Sequence, residues 1–180
     1  MRGSRRLAAG LVLAIAAATL PGQAHAQVGE AEVKAAFLPR FARYVTWPSF
    51  MRPQPGQAFQ LCVIGADPFG SALDRAAAGQ LVDGHKIIVR RVASGAAAGS
   101  CHIAFIQGSK TQPAGQMLAA LDGRPVLTVT DARGGSQRGM VHFSMVSGRV
   151  RFFIDEKEAA RRGLGINSRL LALAIGVRPR

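Results

Sequence analysis

The sequence of 180 residues predicts an α/β fold, a three-layer sandwich. Its sheet is expected to be mainly parallel, with about five to six strands and an antiparallel C-terminal hairpin. Three observations predict it. Short apolar runs at 59–64, 101–106 and 125–130 alternate with segments of helical periodicity, as βαβ units do. The runs CHIAFI and PVLTVT are nearly all apolar or β-branched, the pattern of parallel strands buried on both faces. Two further runs, 140–146 and 149–154, are separated only by Ser147-Gly148, a connection that forces an antiparallel hairpin.

The elements follow in order. Residues 1–26 begin with Arg2, Arg5 and Arg6, continue through the apolar stretch 7–20 and end in Ala24-His25-Ala26. That layout is a secretory signal peptide cleaved before Gln27. The mature chain, 27–180, has 154 residues and is expected to be one domain. Three of the 23 Lys and Arg leave with the signal and no acidic residue does, so the net charge falls from +13 to +10. Such a charge suits acidic partners. The basic residues are scattered rather than interleaved with aromatics, so nucleic acid is not the expected partner.

Residues 30–46 form a helix by spacing, with Val33, Ala36, Phe37, Phe41, Tyr44 and Val45 on its apolar face and Pro39 as a kink. It ends at Trp47-Pro48, because a residue before proline leaves helical space. Strand 59–64 meets Gly65, and Asp67 with Pro68 then starts a helix over 68–78. Asp83-Gly84 is a turn before strand 85–92. Residues 112–121 read as a helix and 131–139 as a glycine-rich loop. Asp155 caps a helix over 156–162, and 168–177 reads as a final apolar helix with Leu170, Leu171, Ala174 and Ile175 inward.

Catalytic chemistry is not legible. The chain has no G-x-S-x-G elbow, no phosphate-binding G-x-x-x-x-G-K-S/T loop and no H-E-x-x-H. The mature histidines, 85, 102 and 142, form no ligand-spaced cluster, so no metal or other cofactor is expected. Cys62 and Cys101 are the only cysteines, and in an exported chain they suggest one disulfide. Two buried thiols or a redox pair are the alternatives. The carboxyl ends of the strands, after Gly65, Gln107 and Asp131, are where an open α/β sheet would hold a small ligand. Apolar side chains on loops are candidates for partner contact: Trp47 and Phe50 beyond the first helix, Leu164 and Ile166 before the last.

The joint order of several motifs carries a family resemblance. Phe37, Phe41, Tyr44, Trp47 and Pro48 form F-x-x-x-F-x-x-Y-x-x-W-P. They are followed by LCVIGADPF from Leu61, CHIAFI from Cys101, PVLTVTD from Pro125, Gly139-Met140 and GLGINSRLLALA from Gly163. Over residues 31–175 the chain resembles the YfiR family of bacterial periplasmic proteins, the DUF4154 group. The resemblance implies a non-catalytic inhibitor, commonly dimeric, that binds the periplasmic sensor region of an inner-membrane diguanylate cyclase. It would thereby lower cyclic-di-GMP signalling and biofilm formation, and an OmpA-like outer-membrane lipoprotein would sequester it. The family's disulfide maps onto Cys62 and Cys101, while a second cysteine pair of some relatives is absent. The family's F-x-I-N motif appears as Phe152-Phe153-Ile154-Asp155, with the capping role kept by Asp. The alternative is a periplasmic small-ligand sensing domain acting with another membrane receptor or a histidine kinase.

Overall fold

A computed structural model of the chain describes residues 29–108 and 112–180. The proposed signal peptide lies outside the described residues. Five helices alternate with strands in an α/β arrangement. They are α1 (Glu30–Phe41), α2 (Ser71–Ala77), α3 (Ala114–Ala120), α4 (Glu156–Arg161) and α5 (Ser168–Leu171). The main sheet has eight strands: β2 (Phe59–Gly65), β3 (Leu81–Val82), β4 (His85–Val92), β5 (Ile103–Gln107), β6 (Leu127–Asp131), β7 (Val141–Val146), β8 (Arg149–Asp155) and β10 (Gly176–Arg178). Two short strands, β1 (Val45–Thr46) and β9 (Gly165–Ile166), make a separate antiparallel pair. The sheet order is β10-β8-β7-β6-β5-β2-β4-β3. Only β7–β8 and β3–β4 are antiparallel, and both hairpins turn through two residues with positive φ (Asp83-Gly84, Ser147-Gly148) that match strand twist.

The expected α/β class, mainly parallel sheet and antiparallel hairpin are present, but the main sheet has eight strands rather than five to six, with a further antiparallel pair beside it. Side chains alternate across the sheet and divide the core in two. Leu61, Val63, Ile103, Phe105, Leu127 and Val129 face α1, α2, α4 and α5. Cys62, Ile64, Ala104 and Ile106 face α3, through Ala114 and Met117. The first layer is therefore thick and the second thin. Phe37 and Phe41 of α1 bind the first layer to the C-terminal hairpin through Phe143 and Phe152, with ring centroids 5.3 to 6.4 Å apart.

Four expectations are corrected. The buried stripe of α1 is Lys34, Ala35, Leu38, Pro39 and Phe41, continuing to Ala42 and Val45; Phe41 and Val45 were expected there, whereas Val33, Ala36, Phe37 and Tyr44 are only half-buried. With a lysine at a core position, the Lys34–Leu38 part of the stripe does not show in the apolar pattern. The helix passes Pro39 and tightens into a 3-10 turn over Ala42–Tyr44. Helix α2 starts at Ser71, not Pro68, because Asp67 Oδ1 accepts from the N–H groups of Phe69 (2.8 Å) and Gly70 (3.2 Å) and makes a turn of its own. The final helix stops at Leu171. Residues 176–178 leave it to pair in parallel with β8 at Phe153 to Asp155, where sheet pairing overrides local helical preference. As expected, Asp155 Oδ1 caps α4 through the Glu158 N–H at 2.9 Å.

Candidate functional site

The carboxyl ends of the strands are occupied by the protein itself. A Cβ on Gly65 would stand 2.2 Å from the Gln107 carbonyl oxygen, so only glycine allows β2 and β5 to close there. Asp67 Oδ2 accepts from Arg91 Nε at 2.9 Å, and the same guanidinium grips Asp74 at 2.7 and 2.8 Å and the Gly70 carbonyl at 2.8 Å. Those contacts hold the Asp74 carboxyl below its usual range, chiefly through the Arg91 hydrogen bond. Asp131 is buried and accepts from Lys34 Nζ, which also reaches Glu30, and Glu30 in turn meets Arg133. The carboxylates at that end, Asp67, Asp74 and Asp131, are thus each held by a cation. Lys34 is the feature the sequence reading missed. The available signal was its position three after Ala31 and four before Leu38, inside the helical stripe.

The opposite, amino-terminal ends of β2 and β5 carry an aromatic platform. Trp47, Phe59 and His102 are all at least nine-tenths buried. Phe59 stacks on His102 at 4.3 Å, and Trp47 stands edge-on to Phe59 at 5.1 Å. Trp47 Nε1 donates to the His102 carbonyl at 3.1 Å. The ring of His102 is fully used: Nδ1 accepts from the Gln60 N–H at 2.9 Å, and Nε2 then donates to the Met51 carbonyl at 2.7 Å. This neutral tautomer welds loop 50–58 to the sheet. Beside the platform lies a cleft of about 510 Å³ bordered by Arg43, Arg52, Asp83 and His85.

The loop residues singled out for partner contact are partly brought together. Strand β1 pairs Val45 with Ile166 and Thr46 with Gly165, and the Asn167 N–H donates to the Tyr44 carbonyl at 2.8 Å. Trp47, Leu164 and Ile166 therefore join one core cluster, at 5%, 2% and 6% exposure. Phe50, at 77%, alone of the four presents its side chain to solvent. Its neighbours on the surface are Arg52, Ile88 and Arg90, around a groove with no carboxylate in its lining.

The disulfide is present. Cys62 of β2 and Cys101, just before β5, are joined across 39 residues with Cα atoms 6.0 Å apart, and both are fully buried on the α3 side. The alternative of two free thiols is replaced by a crosslink between neighbouring strands. No group of three potential metal-ligating side chains occurs among the described residues, and no described helix is long and apolar enough to cross a membrane.

With the geometry set, comparison with known protein families gives one match. The YfiR/HmsC-like family model aligns with residues 31–175. The chain belongs to the YfiR/HmsC-like family. The match runs from the first turn of α1 to the residue before β10, so it takes in both core layers, the disulfide and the β1–β9 clasp. No curated protein matches the chain in sequence. In this YfiR/HmsC-like chain the platform and the clasp share one core layer, the disulfide lies in the other, and His102 ties loop 50–58 to the sheet.

That tie has a pH signature. Burial pushes His102 below the usual histidine range, against its two backbone hydrogen bonds, and burial does the same to His142. A histidine that is harder to protonate when folded stabilises the fold fully above its unfolded value, about 6.5. That contribution is lost as pH falls through 6.5 toward the folded values. Thermal unfolding should therefore show a lower midpoint at pH 5.5 than at pH 7.5. A midpoint that is flat or rises on acidification would contradict the neutral assignment of both rings.

Proposed function

We propose that this protein is a non-catalytic periplasmic regulator that binds the periplasmic sensor region of an inner-membrane diguanylate cyclase and holds down cyclic-di-GMP synthesis. The single observation that carries the reading is the family match over residues 31–175. The signal-like layout of residues 1–26 and the buried disulfide support an oxidising, extracytoplasmic location. In this reading the chain works as a homodimer, and an OmpA-like outer-membrane lipoprotein sequesters it from the cyclase.

Partner contact in this account centres on Phe50, while Trp47, Leu164 and Ile166 lie in the core cluster. An exposed phenylalanine on a groove that holds Arg52 and Arg90 and no carboxylate suits an acidic partner surface with an apolar pocket. Phe50→Asp should leave the unfolding midpoint within about 2 °C, since surface changes cost little. It should also weaken capture of the cyclase from detergent-solubilised membranes at least tenfold. Undiminished capture by a folded Phe50→Asp protein would remove Phe50 from the interface. A second reading, a small-ligand sensor acting through another receptor or histidine kinase, is favoured by one observation: an open cleft on the thin side of the sheet.

A further inference from the structure

The thin face of the sheet carries a buried histidine with one ring nitrogen that no described residue engages. His142 of β7 is 4% exposed and lies opposite Phe153 of β8, on the side away from α1. Its Nδ1 is 2.8 Å from Thr130 Oγ1, and that oxygen already accepts the Gly139 N–H at 2.8 Å. Among the described residues Nδ1 is the one acceptor within reach of the threonine hydroxyl proton, so that proton is assigned to Nδ1 and the neutral ring's own proton to Nε2. Nε2 has no hydrogen-bond partner among the described residues. Every fully buried side-chain polar atom there is satisfied, so Nε2–H must open to the cleft that His142 lines.

That cleft measures about 520 Å³ and is built from β7, β8 and β10. Arg138 lays its guanidinium 5.2 Å over the Phe153 ring. Arg178 enters from β10, tied to Asp155 Oδ2 at 3.2 Å. Gly176 lies flat against Phe153: a Cβ there would stand 2.9 Å from the ring. The absent side chain leaves the ring surface reachable from the β10 side. Two arginines against one aspartate leave a single formal positive charge in the lining. A monoanion matches that charge, and a phosphate dianion exceeds it. Phe153 and Val177 supply the apolar part of the wall.

We propose that this cleft is a binding site for a small organic monocarboxylate, whose oxygens accept from His142 Nε2–H and the Arg138 and Arg178 guanidinium groups while its apolar body rests on Phe153. The site stands on its own geometry and does not depend on the inhibitor reading. It lies on the face of the sheet opposite α1.

The test is an NMR titration of the full mature protein, labelled on histidine, with sodium benzoate as probe. The His142 imidazole signals should shift saturably, and Arg138→Gln, an exposed change, should weaken binding at least fivefold. Gly176→Val should weaken it at least tenfold by filling the cradle. Inorganic phosphate should bind at least tenfold more weakly than benzoate. Absence of a saturable shift up to 20 mM benzoate, at about twenty times a 1 mM dissociation constant, would overturn the proposal. So would binding that both variants leave unchanged, or phosphate binding as tightly as benzoate. A tetraglutamate peptide that displaces benzoate and binds more tightly would also overturn it, marking the face as a protein-docking surface instead.

Discussion

Reduced protein, or the Cys62→Ser/Cys101→Ser double variant, is expected to lose on the order of 4 kcal/mol of stability in the chain-entropy account of a crosslink spanning 39 residues. For a domain of roughly this size each kcal/mol moves the midpoint by about 2–4 °C, so thermal unfolding should shift down by about 8–16 °C. The bond joins β2 to the entry of β5, central strands whose carboxyl ends already meet at Gly65 and Gln107. Both sulfurs are buried beneath α3, so reduction requires opening of the thin layer. Mild reductant should leave the native protein crosslinked until unfolding begins. Rapid reduction under native conditions with no change in midpoint would show that the bond is neither protected nor stabilising.

The second large effect is expected at Lys34. Its ammonium sits inside the first core layer between Glu30 and Asp131, with lysine and aspartate both about 95% buried or more. Lys34→Ala leaves Asp131 buried without its cation and should cost about 3–5 kcal/mol. Replacing both members by apolar side chains of similar volume, Lys34→Met with Asp131→Leu, removes the desolvation penalty along with the attraction. The double variant should recover most of the loss, and urea unfolding of the three proteins measures it. A double variant as unstable as the single one would mean that the pair itself, rather than the orphaned charge, supplies the stability. If the single variant does not fold, recovery of a folded double variant carries the same information.

Residues differ in how far sequence alone placed them. Strand β4 and the β7–β8 hairpin were legible because alternation, turn chemistry and a two-residue connection all agree there. The Cys62–Cys101 link followed from an exported chain with two cysteines and from the family pattern. Of the α1 face Phe41 and Val45 were legible, but Lys34 at a core position was not, because only tertiary pairing with Asp131 explains it. Nor were β1 and β9, two residues each, since so short a strand has no period. Residues 171–177 read as helix from LALAIGV, yet the edge of β8 recruits 176–178. The same absence of register information hid the His142 cleft. His142 and Phe153 become neighbours only through hairpin pairing, and Gly176 and Arg178 reach them only through β10. Trp47, Leu164 and Ile166 looked like exposed loop residues because the β1–β9 clasp that buries them was invisible.

The central claim is that this YfiR/HmsC-like chain restrains a membrane diguanylate cyclase by protein contact. It is tested most directly by measuring intracellular cyclic-di-GMP in its own bacterium, with the gene deleted and then restored as the natural chain or as Phe50→Asp. The account predicts a rise of at least threefold on deletion, return to the starting level with the natural chain, and no return with the folded Phe50→Asp protein. Cyclic-di-GMP that stays at the starting level after deletion, in cells that make a membrane-bound diguanylate cyclase with a periplasmic region, would contradict it.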